Sequence, residues 1–280
     1  MNTIRIHNTE LNTPSSYNEL SAAQLLDVCK QLLTRSKLTP FALLFSIFGA
    51  KRGILFPNKR TKFLKSLPPE ALTYFANDQE VTGWIYQPPK LTNYTIPSFR
   101  IGLTKYHGPH TDMLNINVAE FVEVSMYYGA YLNSLNTGPD ISLIDKMLAV
   151  LYRPGRLFYA FEKNGPNFTL DRRVKNNEYR FAKRASLFKN LNPALKMALF
   201  LQYEGALEVF AQHFPNAFST SGATSGGNDT AGWVKLLMSM SGDIFGDYEK
   251  TQSVDVFTFF TKVDSNIEQA KEMEKKYKKK

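Results

Sequence analysis

The densest group of metal-ligating side chains is His107-Gly108-Pro109-His110-Thr111-Asp112. Two imidazoles three positions apart, beside a carboxylate, are part of a zinc-type ligand set, which needs one more ligand at the right angle. Pro109 favours a turn there, so the segment reads as a turn and no metal is expected. His7 and His213 stand alone. The pairs Glu120/Glu123 and Glu204/Glu208 each share a helix face at i,i+3 or i,i+4 spacing. Acid–base chemistry asks for two carboxylates across a cleft, one of them in apolar surroundings. Glu120 is accounted for as the partner of Asn117 in a capping box. Glu204 and Glu208, turned inward, would instead meet Arg153 or Arg180 in a buried ion-pair network. The loop from Gly222 to Gly227 lacks the lysine of a phosphate loop, and Lys235 comes a turn too late. No Gly-x-Ser-x-Gly elbow occurs. Cys29, the single cysteine, excludes an internal disulfide and reads as a buried, inert thiol in an amphipathic helix. No catalytic residue, metal or cofactor is predicted, and the chain is not expected to be an enzyme.

A net charge of +9 raises the alternative of a nucleic-acid-binding protein. The positive charge is concentrated. Residues 51–65 hold six basic residues and no acid, 171–189 seven against two acids, and 271–280 six lysines against two glutamates. Everything else is net acidic. A phosphate-tracking patch would use Lys59, Arg60, Lys62, Arg172, Arg173, Arg180, Lys183 and Arg184, provided the segments converge. Phe56 and Phe63 interleave with the first stretch but also have turn and helix-face explanations.

These side chains must be positioned by helices. Ser21 and Gln24 form a capping box before a helix over 21–34, and Thr39-Pro40 opens an almost wholly apolar helix ending near Gly49. Pro68-Pro69 starts another. Thr3 to His7 alternates like a strand. Residues 83–112, with Pro88, Pro89, Pro97 and Pro109, read as extended chain with a β-hairpin near Ile101-Gly102-Leu103-Thr104. Asn117 caps a helix carrying Phe121, Val124, Tyr128 and Tyr131, and a second stripe from Ile141 to Leu151 stops at Arg153-Pro154-Gly155. Further helices hold Phe181, Ala185 and Phe188, then Leu195 to Phe210 after a start at Asn192-Pro193, then about 231–241. A turn at Gly242 and Gly246 leads to a last helix from near Ser253, striped by Val256, Phe260, Val263, Ile267, Ala270, Met273 and Tyr277. The predicted fold class is mostly α: an irregular multi-helix domain over 1–215 with a small extended or β insertion at 83–112. A Ser/Gly-rich linker over 216–230 would then lead to a C-terminal helical segment over 231–280, ending in an amphipathic helix and a Lys-rich tail. The longest apolar run, Phe41 to Ala50, is half of the about 20 residues a membrane span requires. With no leader visible at Met1 to His7, a soluble cytoplasmic protein is expected.

Aromatic residues exceed what one buried stripe per helix needs. Trp233, Phe245, Phe257, Phe260, Val263 and Ile267 are the predicted partner-binding residues, on the expectation that the last helix docks onto another chain.

Three stretches carry a resemblance: Leu148-Ala149-Val150-Leu151-Tyr152-Arg153-Pro154; Gln202-Tyr203-Glu204-Gly205; and Trp233-Val234-Lys235-Leu236-Leu237 continuing through Gly242 to Lys250. Together they resemble poorly characterised proteins of similar length from tailed phages and prophages of Bacteroidetes, encoded among tail-morphogenesis genes. The resemblance spans about 115–275. It implies a non-enzymatic protein of tail assembly, either a chaperone shielding the tape-measure protein until tube subunits polymerise or a structural tail or connector component. Its implied partners are tape-measure or tube subunits, or further copies of itself. Its place would be the host cytoplasm or the virion.

Overall fold

The computed structural model describes all residues except 1, 7–8, 35–38, 51–57, 114, 163–170, 221–229, 243 and 279–280. The protein is mostly α-helical with small antiparallel sheets, and it divides into two compact units. The first holds residues 1–96 with 191–205; the second holds 97–190 with 206–280.

In the first unit, β1 (Asn2–Ile6) pairs with β2 (Thr9–Thr13), in register from Asn2 opposite Thr13 to Ile6 opposite Thr9. The second strand has no counterpart in the sequence reading, because Thr9-Glu10-Leu11-Asn12-Thr13 lacks an apolar run. Helix α1 (Ala22–Leu33) starts as its sequence dictates, with both bonds of the Ser21/Gln24 capping box formed. Thr39 caps α2 (Pro40–Ile47), its hydroxyl accepting from Ala42 N–H. Gly49, at φ +61°, ends that helix in a conformation L side chains disfavour. Three neighbours then satisfy the exposed carbonyls: Gln24 donates to Ile47 O, Arg60 to Phe48 O at 3.2 Å and Asn58 to Gly49 O at 3.0 Å. α3 (Lys59–Ser66) and α4 (Pro69–Asn77) close over Leu44, Phe48, Leu64, Leu67 and Val81, with Phe63 packed against this core.

Residues 91–96 lie against α9 (Pro193–His213), whose portion up to Gly205 belongs to this unit. The Gln202 amide accepts from Ile96 N–H at 2.8 Å and donates to Ile96 O at 3.2 Å, as a strand neighbour would. Gly205 admits the chain so closely that a Cβ there would stand 1.7 Å from Leu91 O. Asn93 is fixed from the other side, its N–H to Asn18 Oδ1 and its Nδ2 to Asn18 O, both at 2.9 Å.

The second unit contains the anticipated hairpin: β3 (Ser98–Ile101) against β4 (Thr104–His107), turning at Gly102 with φ +56°. β5 (Arg153–Pro154) joins β4, His107 opposite Arg153. Phe99, Tyr106, Tyr152 and Phe188 cluster around this sheet with ring centroids 5.2–5.6 Å apart. Helices α5 (Val118–Ser134), α6 (Ile141–Leu151) and α8 (Glu178–Phe188) pack together, α7 (Tyr159–Glu162) being a single turn between.

The C-terminal stretch is not a separate segment. α10 (Pro215–Thr220) occupies the start of the expected linker, whose centre, 221–229, lies outside the described residues. α11 (Thr230–Met240), α12 (Tyr248–Ser253) and α13 (Val256–Lys278) pack on α5, and Val118 N–H donates to Val254 O while Val256 N–H donates to Ile116 O, each at 3.0 Å. The boundary expected at 215 is therefore displaced. A Ser/Gly composition marks solvated chain, whereas the aromatic face of Phe210, Phe214, Phe218, Trp233 and Phe260 decides what packs with what.

Candidate functional site

α5 begins at Asn117, whose Oδ1 accepts from Glu120 N–H at 2.8 Å. Only this half of the expected capping box forms. The Glu120 carboxylate turns into the protein, where its Oε1 meets Arg153 Nη1 at 2.8 Å and its Oε2 meets Arg153 Nη2 at 3.0 Å, a two-pronged pair. Arg173 Nη2 adds a third contact to Oε2 at 3.1 Å. Asp171 completes the cluster, accepting from Arg173 Nε at 2.8 Å and Nη2 at 3.1 Å and from Arg153 Nη2 at 3.3 Å. Arg173 also donates to Leu151 O and Asn115 O at 2.9 and 2.8 Å.

Both guanidiniums are sealed from water, and two acids balance two bases. Burial, and then the positive charge of Arg173, pull the Arg153 guanidinium down to about 10; Glu120 and Asp171 act in the opposite sense. With every carboxylate oxygen of Glu120 and Asp171 engaged by a donor, the cluster holds backbone in place. What it holds is the base of a hairpin. Residues 172–174 run antiparallel to 154–156, Arg156 N–H donating to Arg172 O at 2.8 Å and Val174 N–H to Pro154 O at 2.9 Å. Arg153 and Arg173, on adjacent legs, fasten this base to the first turn of α5.

A cleft of about 940 Å³ opens beside the cluster, lined among others by Asn115, Glu123, Arg156, Lys175, Asn176 and Asp255. It presents acids and bases in mixed order. Asp255 is occupied at the start of α13, accepting from Phe257 and Thr258 N–H at 2.9 and 3.1 Å. Asn176 bridges Glu123 and Arg184, at 3.2 and 2.7 Å.

Beyond its base the hairpin projects Leu157, Phe158 and Phe161, which are 92, 65 and 86% exposed. The rings of Phe158 and Phe161 lie 6.5 Å apart, and the guanidiniums of Arg156 and Arg172 stand 5.2 and 5.3 Å from the centre of Tyr159. The sequence reading missed this group because it sought helical stripes, and Leu157-Phe158 follows a helix stop. Consecutive large apolar residues directly after Arg153-Pro154-Gly155-Arg156 were the available signal.

The expected partner-binding residues fall differently. Phe260 and Val263 are buried in their own unit, so they are not surface. Trp233 packs edge-on to Phe121 and Phe260, Phe257 against Phe210 and Phe214, and Phe245 stacks on Phe259; all three are half-buried, as is Ile267. The unit is larger than the sequence reading allowed, and it absorbs these side chains.

The basic residues are divided between the two units. Lys59, Arg60 and Lys62 belong to the first unit, Arg172, Arg173, Arg180, Lys183 and Arg184 to the second. Arg173 and Arg184 are buried, Arg184 donating to Ala149 O at 3.0 Å, and so leave the proposed phosphate-tracking set. Lys51, Arg52 and Phe56 lie outside the described residues. Arg153 goes to Glu120 and Asp171 rather than to Glu204 or Glu208, and Arg180 is exposed.

His107 sits in β4 with its ring against Gly155, and its imidazole titrates below the ordinary value through burial and then the charges of Arg172 and Lys105. His110 lies in a turn closed by Asn115, whose Oδ1 accepts its N–H at 2.6 Å. Among the described residues no group of three or more His, Cys, Asp or Glu side chains is arranged to hold a metal ion. Likewise, no helix among them is long and apolar enough to cross a membrane. His7 and the Gly222–Gly227 loop lie outside the described residues. Cys29 is buried in α1, and burial pushes its thiol up to about 12. No family model, curated protein or solved structure matches the chain.

Proposed function

We propose that this chain is a non-catalytic assembly protein that works by offering apolar helical surface to another polypeptide, in the tail morphogenesis of a tailed phage or prophage. The setting follows from the resemblance carried by Leu148–Pro154, Gln202–Gly205 and Trp233–Lys250. The mode of action rests on one observation along α13. Its stripe begins in the core with Val256, Phe260 and Val263, passes through half-buried Ile267, and continues into solvent as Met273 and Tyr277, 57 and 76% exposed. A stripe that outruns its own domain suits a second helix or a groove. Tape-measure or tube subunits in the host cytoplasm are the partners this reading favours.

The test is co-expression of the full chain with the product of the tape-measure-length reading frame beside its gene. The expected complex survives chromatography in about 1 M salt, where charge attraction is screened beyond roughly 3 Å. Met273→Ser with Tyr277→Ser weakens it by about tenfold or more, the range of interface anchors, without changing the melting curve. Absence of a complex, or one that dissolves in salt while the chain is retained on DNA or heparin, overturns the reading in favour of nucleic-acid binding.

A further inference from the structure

The hairpin of β3 and β4 sets two cations where they repel each other. Its two-residue turn makes Ile101 and Thr104 a hydrogen-bonded pair, and at the far end Gly108 N–H donates to Pro97 O at 3.0 Å. By alternation Arg100 and Lys105, directly opposite each other, form a non-hydrogen-bonded pair, where facing side chains come closest. Both are exposed, and Arg100 Nη1 donates to Leu103 O at 3.5 Å. Like charges at such a position work against a hairpin. His107 lies two residues along from Lys105 on the same face. Its imidazole titrates below the ordinary value through burial and then the charges of Arg172 and Lys105, so the positive field extends to it. Among the described residues Arg100, Lys105 and Arg172 have no ion-pair partner, and Asp171, beside Arg172 in sequence, serves Arg153 and Arg173.

The same alternation turns the backbone N–H and C=O of Ser98 and Arg100 away from β4. β3 is the end strand of its sheet, so among the described residues no ladder continues from that edge. We propose that the edge of β3 takes an extended segment of a partner protein as a further strand, with carboxylates at alternate positions of that segment lying over Arg100 and Lys105. Bonds to the main chain of Ser98 and Arg100 supply the hold, and charge supplies the choice of partner. Every second side chain of an added strand falls on the face of Arg100 and Lys105, which is why the carboxylates must alternate. The charge also rejects a wrong partner, because a second copy of this edge would bring its own arginine and lysine against these. A protein segment is favoured over nucleic acid by what surrounds the cations. Single strands stack their bases on aromatic rings, but Phe99 and Tyr106 are buried and the Tyr159 ring faces the guanidiniums of Arg156 and Arg172. A duplex held by phosphate contacts alone needs more cations than this small face offers. The surface is distinct from the stripe of α13 and goes beyond the function proposed for it.

The experiment titrates the full chain, in about 0.1 M salt, into four labelled probes followed by fluorescence polarisation. They are a short strand peptide alternating Glu with Thr or Val, its Glu→Lys twin, the Glu peptide N-methylated at every second amide, and a DNA duplex. The Glu peptide is expected to bind about tenfold more tightly than the Lys twin, and about tenfold more tightly than the N-methylated form, which keeps the charge but cannot complete a ladder. Arg100→Glu/Lys105→Glu should lose about tenfold or more. That variant keeps like charges opposed on exposed positions, so an unchanged melting curve serves as its control. No binding of the Glu peptide, equal affinity for it and the Lys twin, equal affinity for the N-methylated form, or affinity unchanged by the double substitution overturns the proposal. Tighter binding of the duplex, lost in the same variant, also overturns it, in favour of nucleic acid. The Met273→Ser/Tyr277→Ser variant should bind the Glu peptide as the wild type does, so failure here leaves the α13 reading standing and failure there leaves this one.

Discussion

Substituting Gly205 by Ala sets two effects of opposite sign against each other. Gly205 lies inside a helix, where alanine is favoured by about 1 kcal/mol. Intrinsic propensity alone therefore predicts a more stable protein. The structure predicts the reverse. The added Cβ would stand 1.7 Å from Leu91 O, 2.4 Å from Leu91 C and 3.0 Å from Thr92 N, all backbone atoms that no rotamer change can move. To reach ordinary contact at 3.4 Å the segment must retreat by roughly 1.7 Å. That shift breaks both bonds between Gln202 and Ile96 and loosens the two between Asn18 and Asn93. Overpacking costs about 1–3 kcal/mol and each lost bond about 1 kcal/mol. After subtracting the helix gain, a net loss of about 3 kcal/mol is expected, a large share of the 5–15 kcal/mol typical of a folded domain. Urea unfolding followed by circular dichroism reads it as a lower midpoint. Adding Gln202→Ala should then cost less than it does alone, because both residues seat the same segment. If Gly205→Ala matches or exceeds wild-type stability, residues 91–96 do not rest on α9 as described.

Two further outcomes bear on the rest of the structure. Glu120→Gln leaves Arg153 and Arg173 facing each other with only Asp171, and should cost about 3–5 kcal/mol in thermal or urea unfolding. Adding Arg153→Met should restore part of it, since Arg173 and Asp171 then balance. Cys29 should react with a thiol reagent only as fast as the first unit opens. Its thiol titrates at about 12 folded, against an ordinary 9.0, so its contribution to stability is full below pH 9 and is lost as pH rises towards 12. Rapid labelling at pH 8 in native buffer would contradict its burial.

What the sequence disclosed was chemistry closed within a few residues. The Ser21/Gln24 box, the Thr39-Pro40 start, the Asn117 cap, the stop at Arg153-Pro154 and the turn at Gly102 each depend on neighbours along the chain, and each forms. Glu120 shows where that logic fails. Its backbone satisfies a cap, which seemed to exhaust its role, yet its carboxylate serves arginines 33 and 53 positions away. The return of 191–205 to the first unit is equally invisible to local pattern, because Gln202 and Gly205 act on residues 91–96. Phe260 and Val263, expected at a surface, are buried for the same reason: a stripe shows that a face is apolar, not whether the protein's own core supplies the cover.

Among the described residues, Arg153, Arg173, Asp171 and the rungs between 154–156 and 172–174 secure the footing of this hairpin. Leu157, Phe158 and Phe161 take no part in that footing, so substitutions at these exposed positions can alter the surface while the ion-paired base keeps its shape.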